Sequence, residues 1–263
     1  MSGDPPADRV LDRVAQRREV LEAVEVEGGD VRDLRDALDV SRSTVYEATR
    51  ELEAVGLLAR GDDGFELTPF GRTAVEVHDR CRDALETLCE IRPELARLQR
   101  DVQLNPAMCH EADVVRAEPH APDRPFEAMV DFFDGASRMR GFVPVTGIRY
   151  IEGVNEALAE DDSFALEAVT EARVVEYLLS NHARAVDRWL SSDRVRLYET
   201  DARLPFGLLV EEDPAPSVGV MLYDEGGQLR VLLRAESRVA VAWGREQFLT
   251  HREEATELGT VGD

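Results

Sequence analysis

The chain has 263 residues, 43% of them hydrophobic, which suffices for one large domain or two modest ones and excludes whole-chain disorder. Its formal charge is −23, from 54 acidic against 31 basic residues, and every basic residue is arginine. Without lysine the chain cannot carry a P-loop, a Schiff-base nucleophile or the His-x-Lys pair of a phospholipase D.

The stretch from Met1 to Asp8 is acidic and Pro-rich with no apolar core of a signal peptide, and no apolar run approaches the length of a membrane span. A soluble, cytoplasmic protein is expected. Leu11, Val14, Ala15, Leu21 and Val24 recur at helical spacing, with Arg18 on the same stripe, and Gly28-Gly29 stop that helix. Asp30 is placed to cap a second helix that buries Val31, Leu34 and Leu38. After Asp39-Val40, Ser41 caps a third helix with Val45, Ala48, Leu52 and Val55 inward and Gly56 just past its end. Leu57-Leu58-Ala59-Arg60 and Phe65-Glu66-Leu67-Thr68 flank Gly61-Asp62-Asp63-Gly64, a β-hairpin with a Gly/Asp tip. Helix, helix, turn, helix, hairpin is the order of a winged helix-turn-helix.

The run from Asp33 to Tyr46, followed by Glu51 to Leu58, resembles bacterial and archaeal winged-helix transcriptional regulators. The resemblance implies that the helix after the turn enters the major groove of double-stranded DNA. Its outward residues are then Arg42, Ser43, Thr44, Tyr46, Glu47 and Arg50, with Arg60 the only basic residue at the wing. Arginine can fork onto guanine, Ser and Thr can bond base edges or phosphates, and Tyr can reach a phosphate. The charge opposes this reading: residues 1–72 hold 10 Arg against 17 Asp and Glu, a net −7. Residues 41–50 alone are +1, with Arg42 and Arg50 against Glu47. Acid excess, Arg in place of Lys and only three isoleucines fit a halophilic archaeal cytosol, where molar salt shortens the Debye length to about 3 Å, with an acidic mesophile protein as the alternative. The competing reading is a winged helix used for protein contacts.

Thr68-Pro69 opens the next helix, Thr as N-cap and Pro as first helical residue. Phe70, Ala74, Val77, Cys81, Ala84, Leu88, Ile91, Leu95, Leu98 and Val102 then alternate steps of four and three, a heptad stripe that Pro93 breaks near Arg92. A homodimer held through Val77, Cys81, Leu88, Ile91, Leu95 and Leu98 is expected, with packing on the chain's own C-terminal domain as the alternative. Cys81 and Cys89 read as small apolar fillers. Three cysteines are too few and too badly spaced for a disulfide framework or zinc ribbon. Cys109-His110-Glu111 and His120 lack metal-ligand spacing, so no metal and no cofactor are expected.

Beyond a Pro-rich junction over 106–125, strand and helix patterns alternate. Strands are expected at Val114-Val115, 142–145, Ala168-Val169, 195–198, 208–210, 219–222 and 229–232. Helices are expected over 126–139, around 155–158, over 171–190 and over 239–257. Gly226-Gly227 turns the last two strands into a hairpin. The fold class is α/β: a winged helix over 1–69, a linker and dimerisation helix over 70–105, and an α/β domain with a mixed sheet over 106–263.

Leu204-Pro205-Phe206-Gly207-Leu208, the run Met221 to Gly227 and the run Ala242 to Phe248 are similar to the effector domain of archaeal regulators named for controlling methanogenesis and filament growth. The resemblance implies a transcription factor, and related sugar-sensing regulators imply a small-molecule effector. Thr146, Thr170 and Arg203, at predicted strand ends, are the candidate effector-binding residues. The chain has no G-x-S-x-G, G-x-G-x-x-G or H-E-x-x-H motif, and Ser180, His182 and Asp187 share one helix, poor geometry for a triad. An enzyme is not expected.

Overall fold

The computed structural model describes residues 5–259 except 101, 111 and 134. Two compact units make up the chain, residues 1–83 and 84–263.

In the first unit the expected opening helix is two. Helices α1 (Ala7–Gln16) and α2 (Arg18–Glu27) meet at Arg17, whose backbone leaves the helical region (φ −121°, ψ 23°). The break turns the buried face, so Val14, Leu21 and Val24 reach the core whereas Leu11 and Ala15 stay exposed. Helix α3 (Val31–Leu38) starts where expected: the Asp30 carboxylate accepts the Arg32 N–H at 2.7 Å, satisfying one of the orphan donors of the first turn. Ser41 does the same for helix α4 (Arg42–Ala54), its hydroxyl accepting the Thr44 N–H. Strands β1 (Leu58–Gly61) and β2 (Gly64–Leu67) pair antiparallel with Gly61 opposite Gly64, leaving Asp62 and Asp63 at the tip. The wing is pinned at Gly29, whose carbonyl accepts the Phe65 N–H at 2.9 Å. A Cβ at Gly29 would stand 1.7 Å from the Phe65 carbonyl oxygen, so only glycine permits this approach. Val14, Leu21, Leu34, Val45, Leu52, Leu57 and Phe65 form one core beneath these elements.

Helix α5 (Pro69–Glu90) opens on Thr68, whose hydroxyl oxygen accepts the Gly71 N–H at 2.8 Å. It ends at the expected break, and the short helix α6 (Arg92–Leu95) follows with Pro93 in its first turn.

The second unit continues with α7 (Ala107–His110), β3 (Asp113–Arg116), α8 (Arg124–Val130), β4 (Arg138–Val143), α9 (Ile148–Glu160), β5 (Ala165–Glu171) and α10 (Ala172–Leu190). Strands β6 (Val195–Thr200), β7 (Gly207–Asp213), β8 (Ser217–Tyr223) and β9 (Leu229–Ala235) come next, then α11 (Arg238–Glu253) and β10 (Thr256–Glu257). The eight strands form one mixed sheet in the order β10-β6-β5-β4-β7-β8-β9-β3. β4, β5 and β6 run parallel and the other pairs antiparallel.

Three expected elements are corrected. The helix over 126–139 stops at Val130, because Gly135 takes a positive φ of 76° and Met139 pairs in β4 opposite Leu166 and Glu211. The strand expected over 142–145 starts earlier, at Arg138, and ends before Pro144, which has no N–H for the ladder. The closing helix ends at Glu253, and Thr256 and Glu257 pair with β6.

Side chains alternate across the sheet, so each face has its own core. Met139, Leu209, Met221 and Leu232 pack under α8, α9 and α10; Phe142, Leu208, Val220 and Leu233 pack under α11 and Met108 of α7. The Trp189 indole N–H donates to Asn155 Oδ1 at 2.9 Å, tying α10 to α9.

Candidate nucleic-acid interface

Burial on α4 follows the helical period. Val45, Ala48, Thr49 and Leu52 face the core, and Arg42, Ser43, Thr44, Tyr46, Glu47 and Arg50 are all exposed. The Thr49 hydroxyl donates to the Val45 carbonyl at 2.9 Å, so this polar residue sits inside without an unmet hydrogen bond. At the helix start, the Ser41 Oγ lies 2.7 Å from Ser43 Oγ and 2.8 Å from Thr44 Oγ1. The Arg42 guanidinium lies 5.5 Å from the centre of the Tyr46 ring and donates to its hydroxyl at 3.3 Å. One turn thus holds a cation, an aromatic ring and three hydroxyls on one outward face.

Three open concavities surround Tyr46. One of about 410 Å³ is bordered by Arg32, Arg35 and Arg42 with Asp30, and one of about 530 Å³ by Arg9, Arg13 and Arg50 with Glu47 and Glu51. The third, about 400 Å³, lies between Tyr46 and the wing and is bordered by Asp30, Asp62, Asp63 and Arg60. Arg60 itself faces Glu53 at 3.7 Å and the Phe65 ring at 5.0 Å. Reading the third helix alone misses Arg9, Arg13, Arg32 and Arg35. They lie on α1 and α3, and only the fold gathers them.

The heptad stripe divides between two environments. Ile91 is fully buried and Leu95 and Leu98 pack against the same core of the C-terminal unit, so Ile91 offers no surface to a partner. On α5, Gly71 and Val75 are buried, whereas Val77 is 61% and Leu85 55% exposed; Leu88 is half-buried. Cys81 and Cys89 are exposed rather than filling a core, and Cys109 is the buried cysteine, its thiol pushed up by burial.

At the carboxyl edge of the parallel strands, Thr146 lies in the loop between β4 and α9, half-buried. Thr170 is buried near the end of β5, and its hydroxyl donates to the Val143 carbonyl at 2.8 Å. Arg203 is exposed in the loop before β7. Glu171 ties that loop down, accepting the Leu204 N–H at 3.1 Å and the Arg173 guanidinium at 2.7 Å. A cavity of about 180 Å³, lined by none of these residues, opens between Asp123, Phe126, Arg149, Tyr150 and Gln228. Beside it the hydroxyls of Tyr150 and Tyr223 meet at 2.9 Å, and burial pushes the Tyr150 phenol up to about 12.

Among the described residues no group of three or more His, Cys, Asp or Glu is arranged to hold a metal, and Glu111 of the Cys109-His110-Glu111 run lies outside them. No described helix is long and apolar enough to cross a membrane.

Residues 122–254 match the family described as the methanogenesis regulatory protein FilR1, middle domain. The chain belongs to the FilR1 middle-domain family. The match runs from the loop before α8 to the end of α11 and so takes in most of the C-terminal sheet. Residues 8–89 match a second family, the HVO_A0261 N-terminal domain, which spans the winged-helix elements and α5. No curated protein matches this FilR1-family chain. Among solved structures, TrmBL2, titled an archaeal chromatin protein with a novel mode of DNA binding, is 14% identical over 96% of this chain and 100% of its own, with a TM-score of 0.43. The phospholipase D family member Nuc from Salmonella typhimurium is 9% identical over 57% of this chain and 98% of its own, with a TM-score of 0.43. Phosphatidylserine synthase from Haemophilus influenzae is 12% identical over 72% and 47%, with a TM-score of 0.42.

Proposed function

We propose that this protein is a transcriptional regulator that binds double-stranded DNA through α4. The observation that carries this reading is the capped helix itself: its apolar side is fully used by the core, and its outward side offers Arg42, Ser43, Thr44, Tyr46 and Arg50 on a molecule that is otherwise strongly acidic. Such a helix can enter a major groove and present forked donors to base edges. Membership in a family named for a regulatory protein supports the same reading. It acts as a homodimer through the exposed stripe of α5, with a C-terminal unit that takes a small-molecule effector and no catalytic role. Operator binding should be measured by mobility shift in molar KCl, the expected working salt. Arg42→Ala and Arg50→Ala should each weaken it by about 1–3 kcal/mol where the arginine reads a base. Unchanged affinity in both variants, with folding intact, would falsify α4 as the reader. A wild-type chain that binds no duplex but captures a protein would favour the adaptor reading, which the acidic wing tip suits.

A further inference from the structure

The arginines of residues 5–83 fall into two populations. Arg13, Arg17, Arg18, Arg35, Arg60, Arg80 and Arg82 each lie within ion-pair distance of a carboxylate. Arg9, Arg32, Arg42, Arg50 and Arg72 have no such partner among the described residues, although carboxylates outnumber arginines in this stretch; Arg72 instead donates to the Leu67 carbonyl at 2.7 Å. The other four border the two concavities beside Tyr46 in which arginine outnumbers carboxylate: Arg32 and Arg42, with Arg35, against Asp30 on one, and Arg9 and Arg50, with Arg13, against Glu47 and Glu51 on the other. In a domain with surplus acid, arginines left unneutralised on one face are available to an anion from outside.

The spacing supplies the scale. Arg42 and Arg50 are eight residues apart on α4, about 12 Å of helix axis, and a major groove is about 12 Å wide. The concavities therefore stand near the two ends of the segment that would lie across the groove. In the third concavity the balance reverses: Asp62 and Asp63 face it together with Asp30, which it shares with the first, and its one arginine already meets Glu53.

We propose that the two basic concavities are phosphodiester seats, in which Arg32 of α3 and Arg9 of α1 hold the backbone of duplex DNA on either side of Tyr46, and that the acidic wing takes no phosphate. This rests on the DNA-binding reading of α4 and adds to it a footing that carries no sequence information. Each arginine on a phosphate releases condensed counterions, so each contributes about 0.9 to the slope of log K against log salt.

The test uses the full chain, the tightest duplex recovered from a random-sequence pool and a scrambled duplex, with affinities measured across a KCl series. Arg9→Ala and Arg32→Ala should each flatten the slope by about 0.9, and by the same amount on both duplexes. Arg9→Lys and Arg32→Lys, which keep a point charge, should retain the slope. Asp62→Asn with Asp63→Asn should leave it unchanged. If Arg42→Ala or Arg50→Ala weakens binding while the slopes of Arg9→Ala and Arg32→Ala match wild type, the seats are overturned and the reading of α4 stands. A wild-type chain that binds neither duplex at any KCl concentration overturns both. Circular dichroism of every variant separates lost contacts from lost folding.

Discussion

Arg18 and Asp79 meet in a forked contact between α2 and α5, Nη2 to Oδ2 at 2.7 Å and Nε to Oδ1 at 3.0 Å, with both side chains mostly buried. The Arg18 hydrogen bonds outweigh the opposing effect of burial and hold the Asp79 carboxyl at about 2, below its ordinary 3.8. Because the folded-state value is depressed, the pair stabilises the N-terminal unit fully above the unfolded value. That contribution fades as pH falls from about 4 toward 2. At 1.36 kcal/mol per unit the amount is on the order of 2 kcal/mol. Asp79→Asn should lower the melting temperature at neutral pH and remove most of the pH dependence between 4 and 2, checked by thermal melts at constant ionic strength. A variant that melts in parallel with wild type across that window would assign the acid sensitivity to other carboxylates. This partnership was only half legible. Arg18 falls on the apolar stripe of its helix, which marks it as facing inward, but its partner is 61 residues away and no spacing rule connects them.

At the scale of elements, local chemistry was readable where one residue type decides the backbone. Asp30, Ser41 and Thr68 cap the helices that their side chains announce, and Pro93 marks the break between α5 and α6. Reading failed where period and identity disagreed. Phe126, Met129, Phe132 and Phe133 continue a helical pattern, yet Gly135 turns the chain and Met139 joins a strand whose neighbours, Leu166 and Leu209, come from distant sequence. A heptad stripe likewise identifies a helix face without naming what covers it. Ile91, Leu95 and Leu98 are covered by their own C-terminal unit, so the proposed homodimer has to use the exposed residues of α5. Val77→Glu with Leu85→Glu places two charges on positions already exposed in one chain, so folding should persist while a dimer is lost. Light scattering should then report monomers and the mobility shift should weaken sharply, since half-sites are no longer bound together. A double variant that remains dimeric would place the interface away from α5.

At the scale of the whole molecule, the two units divide the work that the proposed function needs, and the sequence conveys this division better than it conveys the site within the second. The motifs at Leu204, Met221 and Ala242 lie on the loop before β7 and its start, on β8 and its hairpin, and on α11, and of these the hairpin alone brings a residue, Gly227, to the lining of a cavity. Of the three residues picked from strand ends, Thr170 is buried with its hydroxyl on the Val143 carbonyl, whereas Thr146 and Arg203 have solvent access. None of the three lines the cavity of this unit that is bordered by Arg149 and Asp123, paired at 3.1 Å, with Phe126 edge-on to Tyr150. These residues lie in α8, α9 and the adjoining loops, and only the assembled sheet brings them together. A regulator must couple such a site to α4, and coupling has a thermodynamic signature. An effector that binds the DNA-competent and DNA-incompetent states equally shifts nothing, however tightly it binds. If a metabolite changes operator affinity tenfold, about 1.4 kcal/mol, then saturating operator must change metabolite affinity tenfold in the same direction. The screen follows directly: small sugars, phosphates and organic acids tested for a thermal shift in high KCl, then titrated with and without operator. Trp189 and Trp243, the chain's two tryptophans, both lie in the C-terminal unit and supply the fluorescence signal. Thr146→Val and Arg149→Ala should weaken the metabolite tenfold or more while leaving operator affinity in its absence unchanged. A metabolite that binds the C-terminal unit with the same affinity whether or not operator is present would make this domain a binding module without control over α4.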